Sequence, residues 1–142
     1  MKLFIVIFFL LAALYLFNGC NTQASVNMKD LDENMLDLRT YHENIGYYIQ
    51  EGDADYALWL LQGMDSSLQV IARKFTTHRK IKGSFKEAYR EKLRSPIRGI
   101  RSALEKNDFP KAIEKYRLLT RKCNSCHTDN DIDKEVLDRT LD

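Results

Sequence analysis

The residues with the most chemistry lie in one pentapeptide near the C-terminus, Cys123-Asn124-Ser125-Cys126-His127. The spacing Cys-x-x-Cys-His is the signature of covalent attachment of a c-type haem. Each thiol can add to one vinyl group of the porphyrin, and the histidine that follows can bind the iron as its proximal ligand. We therefore predict one covalent haem c, attached through Cys123 and Cys126 and ligated by His127.

Two other interpretations of these residues compete with haem. A Cys-x-x-Cys pair alone can be a redox dithiol, but that motif belongs to a βαβ unit, and residues 109–122 have a helical pattern instead. The two cysteines and the histidine could also be three zinc ligands. Because the sequence supplies no second Cys or His pair at the usual spacing, the haem interpretation is favoured over zinc.

Length and composition favour a single all-α domain. The chain has 142 residues, enough for one domain with its own core. Its 22 Lys and Arg against 20 Asp and Glu give no charge excess of the kind that indicates nucleic-acid binding. With 6 Gly, 2 Pro and no alternating β-branched run, helices are expected throughout. No nucleophile–base pair or paired carboxylates stand out, so an enzyme is not predicted.

The N-terminus has the pattern of an export signal. Lys2 precedes an apolar run over residues 3–17, shorter than the roughly 20 residues that span a bilayer comfortably. Residues 16–20 resemble a bacterial lipoprotein box that ends in a lipidated Cys20, although Phe17 and Asn18 depart from the common form. We predict a lipoprotein signal peptide over 1–19, a polar tether over 20–29 and a haem domain over 30–142.

Ordinary cleavage after Ala24 and an uncleaved anchor are the alternatives at this terminus. The cysteine count favours lipidation, because haem accounts for two of the three cysteines and leaves Cys20 as an odd thiol in an exported protein. Export also agrees with haem, since bacteria attach c-type haem outside the cytoplasm. The predicted location is therefore periplasmic or on the cell surface, with a lipid anchor in the membrane.

Four amphipathic helical segments are predicted, joined by short connections. The first spans about residues 30–51 and the second about 54–76, each with apolar positions every three or four residues. The third is interrupted at Pro96, which gives one kinked helix or two short ones. The fourth begins at Asp108 and leads to the motif. This order predicts an up-down-up-down four-helix bundle that carries haem on its last helix.

Polar residues mark where these helices begin. Asp30 with Glu33, and Ser84 with Glu87, match the capping-box pattern, and Asp53 is expected to cap the second helix. Ser95 is expected to cap a fresh segment that has Pro96 in its first turn. The acidic tail from residue 129 to 142 is expected to add a short last helix, with its apolar positions at residues 132, 136 and 137.

The late position of the motif gives the chain a resemblance to a known family. A four-helix bundle with one Cys-x-x-Cys-His late in its last helix resembles the cytochrome c-prime group (class II) and its low-spin relatives. A closer likeness is to small exported bacterial monohaem proteins, whose ending is matched by Tyr116, Leu119, Thr120, Cys123, Asn124, Cys126 and His127. The resemblance implies a haem c protein with an electron-transfer or gas-binding function.

The distal side of the haem depends on which residue of the first helix lies opposite His127. Helices one and four are expected to be antiparallel, with Gly52 beside Asp108. At about 1.5 Å per residue, Met35 then lies roughly 3 Å from the level of His127, and His42 roughly 13 Å from it. Met35 is therefore the predicted distal ligand, and the resemblance agrees, because the distal residue of the c-prime group comes from the first helix.

His42 is the alternative distal ligand, since a buried imidazole without a partner is costly. Simpler explanations are a hydrogen-bonded His42 and a Met35 that only fills the core. A haem with no distal protein ligand is also left open.

Basic residues are concentrated between Arg73 and Arg101, where eleven Lys or Arg face two Glu. Such a run is usually a solvated face, and the alternative is a docking surface for an acidic redox protein or anionic lipid. The leading hypothesis is a small monohaem electron carrier, with a five-coordinate gas-binding protein and a zinc or structural module as alternatives. Redox proteins and a membrane surface are the predicted partners, and a homodimer is left open.

Overall fold

A computed structural model describes residues 30–140, and every regular element in that range is helical. The helices are α1 (Leu31–Gln50), α2 (Ala54–Lys74), α3 (Phe85–Ala88), α4 (Arg94–Leu104) and α5 (Phe109–Asp129). A π-helical turn, Tyr89–Leu93, joins α3 to α4 without a break, so the described residues form four helical rods. The predicted signal peptide, tether and lipidation site lie outside the described residues.

The four rods pack side by side around one apolar core. α1 packs on α2, α2 on α4, α4 on α5, and α5 returns to α1, an arrangement compatible with a helical bundle. The largest fully buried side chains are Tyr116, Ile45, Ile49, Leu61, Ile71, Ile97, Ile100, Leu104 and Leu119. The all-α architecture is confirmed for residues 30–140. None of the described helices is both long and apolar enough to cross a bilayer.

The connections after α1 and after α4 are built in the same way. Gly52 (φ 73°) and Asn107 (φ 54°) take the left-handed conformation, which reverses the chain where each helix ends. The N–H groups of Asp53 and Asp108 bond back to carbonyls of the preceding last turn, at 3.0 and 2.9 Å. The side chains of the same two aspartates cap the next helix, as the sequence predicts. Each of these two aspartates thus closes one helix through its backbone N–H and caps the next through its side chain.

The sequence allowed either one kinked helix or two short helices around Pro96. The structure has one continuous rod there, the third of the bundle. Pro96 lies in the first turn of α4 and has no N–H to donate to the turn before it. The π-helical turn lies immediately ahead of it, where the N–H of Arg94 bonds to the carbonyl of Tyr89 five residues back. The prediction of Ser95 as a helix cap was therefore wrong, because α4 already begins at Arg94.

The predicted cap at Ser84 is also only partly correct. Ser84 occupies the N-cap position of α3, but its side chain makes no capping hydrogen bond. Its backbone carbonyl alone accepts from Glu87 and Ala88. The first helix agrees better with expectation, because the Asp30 side chain accepts from the N–H of Glu33 at 3.1 Å.

The prediction of a short helix in the acidic tail was wrong. Residues 132–138 have no regular secondary structure. The chain reverses at Asp131 (φ 55°), and the N–H of Ile132 bonds to the carbonyl of His127 at 2.9 Å. This hydrogen bond closes the C-terminus of α5 and directs the tail back along the helix.

Candidate cofactor site

The Cys-x-x-Cys-His motif lies on the last two turns of α5. Cys123, Cys126 and His127 are half-buried on one face of the helix, and both thiols are free. Cys123 packs against the apolar core, and burial raises the pKa of its thiol to about 12. Burial also raises the pKa of Cys126. Both thiols are therefore protonated at neutral pH as long as no group is bound to them.

The proton on the His127 ring can be placed from its hydrogen bond. Nδ1 lies 2.6 Å from the backbone carbonyl oxygen of Lys134. Because a carbonyl only accepts, Nδ1 carries the proton and donates it, and in the neutral ring this leaves Nε2 with a lone pair. Nε2 makes no hydrogen bond within residues 30–140. A histidine that donates one ring nitrogen to a backbone carbonyl and presents the other is typical of metal ligation.

The tail that supplies this carbonyl is held by polar contacts beyond Lys134. The side-chain amide of Asn124 donates to the carbonyl of Val136 at 3.0 Å and accepts from its N–H at 2.7 Å. Further along, the guanidinium of Arg117 donates to the carbonyl of Thr140 at 2.7 Å. The sequence did not predict these contacts, because single hydrogen bonds from a side chain to the backbone have no periodic pattern.

His42, the alternative distal candidate, is buried with both ring nitrogens paired. Its side chain is 3% exposed, Nε2 lies 2.9 Å from the Thr120 hydroxyl, and Nδ1 lies 3.1 Å from the Tyr116 hydroxyl. Because the Thr120 hydroxyl donates to the carbonyl of Tyr116, its oxygen accepts from Nε2. In the neutral ring Nδ1 is then an acceptor, and the Tyr116 hydroxyl shares its proton between Nδ1 and the backbone carbonyl of His42 at 3.2 Å. Burial lowers the pKa of His42 to about 4, so the ring is neutral at neutral pH.

The contact between His42 and Thr120 also fixes the register of α1 against α5. Met35 lies seven residues before His42, and His127 lies seven residues after Thr120. Since the two helices are antiparallel, both steps lead in the same direction by two turns, roughly 10 Å, and return to nearly the same helix faces. The register thus brings the Met35 and His127 positions to about one level of the bundle. Met35 is half-buried and packs against the core.

A loop between α2 and α3 connects the ends of α1 and α5 at this level. Lys80 forms a salt bridge with Asp32 near the start of α1. The N–H of Lys82 donates to the side chain of Asn130 just after α5. The third histidine, His78, lies in the same loop, and its Nδ1 accepts from the N–H of Lys80 at 3.2 Å. The motif therefore lies at the end of the bundle where α1 begins.

Salt bridges neutralise part of the basic run between Arg73 and Arg101. Lys80 pairs with Asp32, Lys82 with Asp131, and Lys92 with Asp129. Part of the positive charge is therefore compensated by carboxylates of the bundle itself. A docking surface for an acidic protein or for anionic lipid stays a prediction.

The residues of the motif suit a covalent haem. Two thiols three positions apart lie on one helix face beside an imidazole, and the register brings the Met35 position of α1 to about the same level. Among residues 30–140 no three His, Cys, Asp or Glu side chains are grouped closely enough to hold a metal ion. The zinc alternative therefore gains no support in this part of the chain.

Comparison with protein families, with curated proteins and with solved structures finds no match to this chain.

Proposed function

We propose that the protein is a small monohaem c-type cytochrome that carries electrons. Cys123 and Cys126 would bind the porphyrin covalently, and His127 would be the proximal ligand of the iron. The observation that carries the proposal is the hydrogen bond from His127 Nδ1 to the carbonyl of Lys134. It holds Nε2 available directly beside two cysteines at the haem-attachment spacing.

Met35 is the distal ligand that the register of α1 and α5 supports best. Its thioether lies on the level of His127, whereas His42 lies two turns away and already forms two hydrogen bonds. When bound, haem iron supplies exchange of one electron between the ferrous and ferric states. A methionine ligand would raise the reduction potential above that of a site with two histidines. Two ligands fixed on packed helices would also limit movement of the protein when the charge of the iron changes.

Export and lipidation at Cys20 belong to the same proposal. Because α1 begins at the motif end of the bundle, a tether over residues 20–29 would join the protein at that end. The haem would then be held toward the membrane, where a membrane-bound redox partner could reach it. Labelling with a palmitate analogue tests the anchor, and the label must disappear in Cys20→Ala. A mature N-terminus at Ser25 would contradict lipidation.

Haem content is the first experiment. Exported together with a c-type maturation system, the protein should carry one haem per chain that resists acid-acetone extraction and gives a Soret band. The double variant Cys123→Ser/Cys126→Ser should lose covalent attachment, because both thiols are gone. Ser125→Ala is the matched control, since it changes the motif without removing a thiol or the imidazole. A purified protein with bound zinc and no Soret band would refute the proposal.

A further inference from the structure

The segment after α5 is built around one backbone carbonyl. The chain reverses at Asp131 and tightens again where the N–H of Lys134 bonds to the carbonyl of Ile132 at 3.0 Å. This narrow turn presents the carbonyl of Lys134 to His127. Two residues later, the amide of Asn124 holds Val136 through both its N–H and its carbonyl. The carbonyl is therefore fixed on either side.

More contacts hold the rest of the tail against the bundle. Arg117 donates through Nε to the Thr140 hydroxyl at 3.2 Å, in addition to its bond with the Thr140 carbonyl. Arg139 reaches across to Glu43 of α1 at 3.1 Å. Each contact adds to the ordering of a stretch that has no hydrogen bonds of a regular helix.

Apolar burial does not explain why the tail is held. Ile132 and Val136 are only half-buried, and Leu137 is 43% exposed. A segment that served to cover the core would bury these side chains. The contacts that order the tail are instead polar, and Asn124, which pairs with both backbone groups of Val136, lies between the two cysteines of the motif.

We propose that residues 132–140 are a positioning segment for the proximal ligand, in which Asn124 fixes Val136 so that the Lys134 carbonyl holds His127 Nδ1. This inference rests on the proposed function. A ring whose Nδ1–H donates to a fixed carbonyl keeps one orientation and is a stronger donor through Nε2. A stronger donor stabilises the ferric state more than the ferrous state. The tail therefore lowers the reduction potential relative to the same haem without the hydrogen bond.

The test compares the two residues between the cysteines. Asn124→Ala removes both bonds to Val136, whereas Ser125→Ala changes an exposed side chain with one long contact to Lys92. In the haem-loaded protein, Asn124→Ala should raise the midpoint potential and speed hydrogen exchange of the Val136 amide by about tenfold, the equivalent of about 1.4 kcal/mol. Ser125→Ala should change neither quantity.

A second variant releases the tail away from the motif. Arg117→Gln removes the contacts to Thr140 but leaves all five residues of the motif in place, so it remains informative if Asn124→Ala loads haem poorly. It should raise the potential in the same direction by a smaller amount.

The outcomes separate this inference from the proposed function. A wild-type protein without covalent haem would overturn both. If haem is attached and Val136 exchanges faster in Asn124→Ala, but the potential equals that of Ser125→Ala, the tail is only a structural clamp and the positioning role is wrong. An unchanged Val136 exchange rate would equally overturn it, because Asn124 would then not be holding the tail.

Discussion

The interface between α1 and α5 presents a histidine at each of two levels, and the two levels are built differently. At the inner level His42 is buried, and Tyr116 and Thr120 satisfy both of its ring nitrogens. The outer level lies two helical turns nearer the end of the bundle, where the register brings Met35 to about the height of His127. There the only recorded partner of the His127 ring among residues 30–140 is a backbone carbonyl at Nδ1.

The two levels differ in how their polar groups are satisfied. Polar groups at the inner level are paired with one another, as buried polar groups must be. At the outer level Met35 and His127 are half-buried, and the His127 ring is paired at Nδ1. A change of pH and substitutions at two positions test this contrast, and they follow in order from the largest expected effect to the smallest.

Acidification should lower the free energy of unfolding through His42 at the inner level. The pKa of His42 is lowered from 6.5 to about 4 by burial, so the unfolded chain binds a proton more tightly than the folded one. Stability should therefore be complete above about pH 6.5 and fall as the pH drops toward 4, by about 3 kcal/mol in total. Urea unfolding between pH 7.5 and 4.5 measures this. His42→Gln cannot titrate, and an equal slope in that variant would place the effect elsewhere.

Removal of the Thr120 hydroxyl should also destabilise the inner level. Thr120→Val keeps the shape of the side chain but leaves Nε2–H of His42 without an acceptor, at a cost of about 1–3 kcal/mol. Thr120→Ser keeps the hydroxyl and loses one methyl group, for about 1 kcal/mol. The free energy of unfolding from urea titration separates the two. A Val variant as stable as the Ser variant would mean that the hydrogen bond to His42 contributes nothing.

Substitution of Met35 should have the smallest effect on stability and a large one on coordination. Met35→Leu conserves volume and should cost less than about 1.5 kcal/mol. If Met35 ligates the iron, the variant should lose its low-spin spectrum and bind carbon monoxide when reduced. Met64→Leu is the matched control, a buried methionine of α2 whose substitution should leave the spectrum unchanged. A Met35 variant that keeps the wild-type spectrum would remove Met35 as the distal ligand.

Local sequence signals predicted the helices well, because each signal acts within a few residues. The observed α1 and α2 begin within one residue of the predicted starts, and Asp30, Asp53 and Asp108 all cap as expected. The errors arose where several signals compete. Pro96 and Ser95 together suggested a new helix start, but the π-helical turn accommodates the proline without a break.

The site was predictable in its central residues and not in its surroundings. The spacing of Cys123, Cys126 and His127 identifies the motif without any structure. The contacts of His42, and the pairing of Asn124 with a residue twelve positions later, depend on how the folded chain returns on itself. An apolar pattern at residues 132, 136 and 137 suggested a helix there, because periodicity cannot anticipate that the backbone groups of the tail bond to side chains instead.

The aspartates that end one helix and begin the next also bear on the speed of folding. Asp53 and Asp108 make both connections with neighbours in sequence, so the hairpins α1–α2 and α4–α5 can form from local contacts. Chains dominated by such contacts fold in microseconds to milliseconds, faster than most chemistry on a thiol. Folding packs Cys123 against the core. If haem is attached as proposed, attachment would have to occur before the second hairpin closes or on a chain that is held open, and maturation and folding would then compete in time.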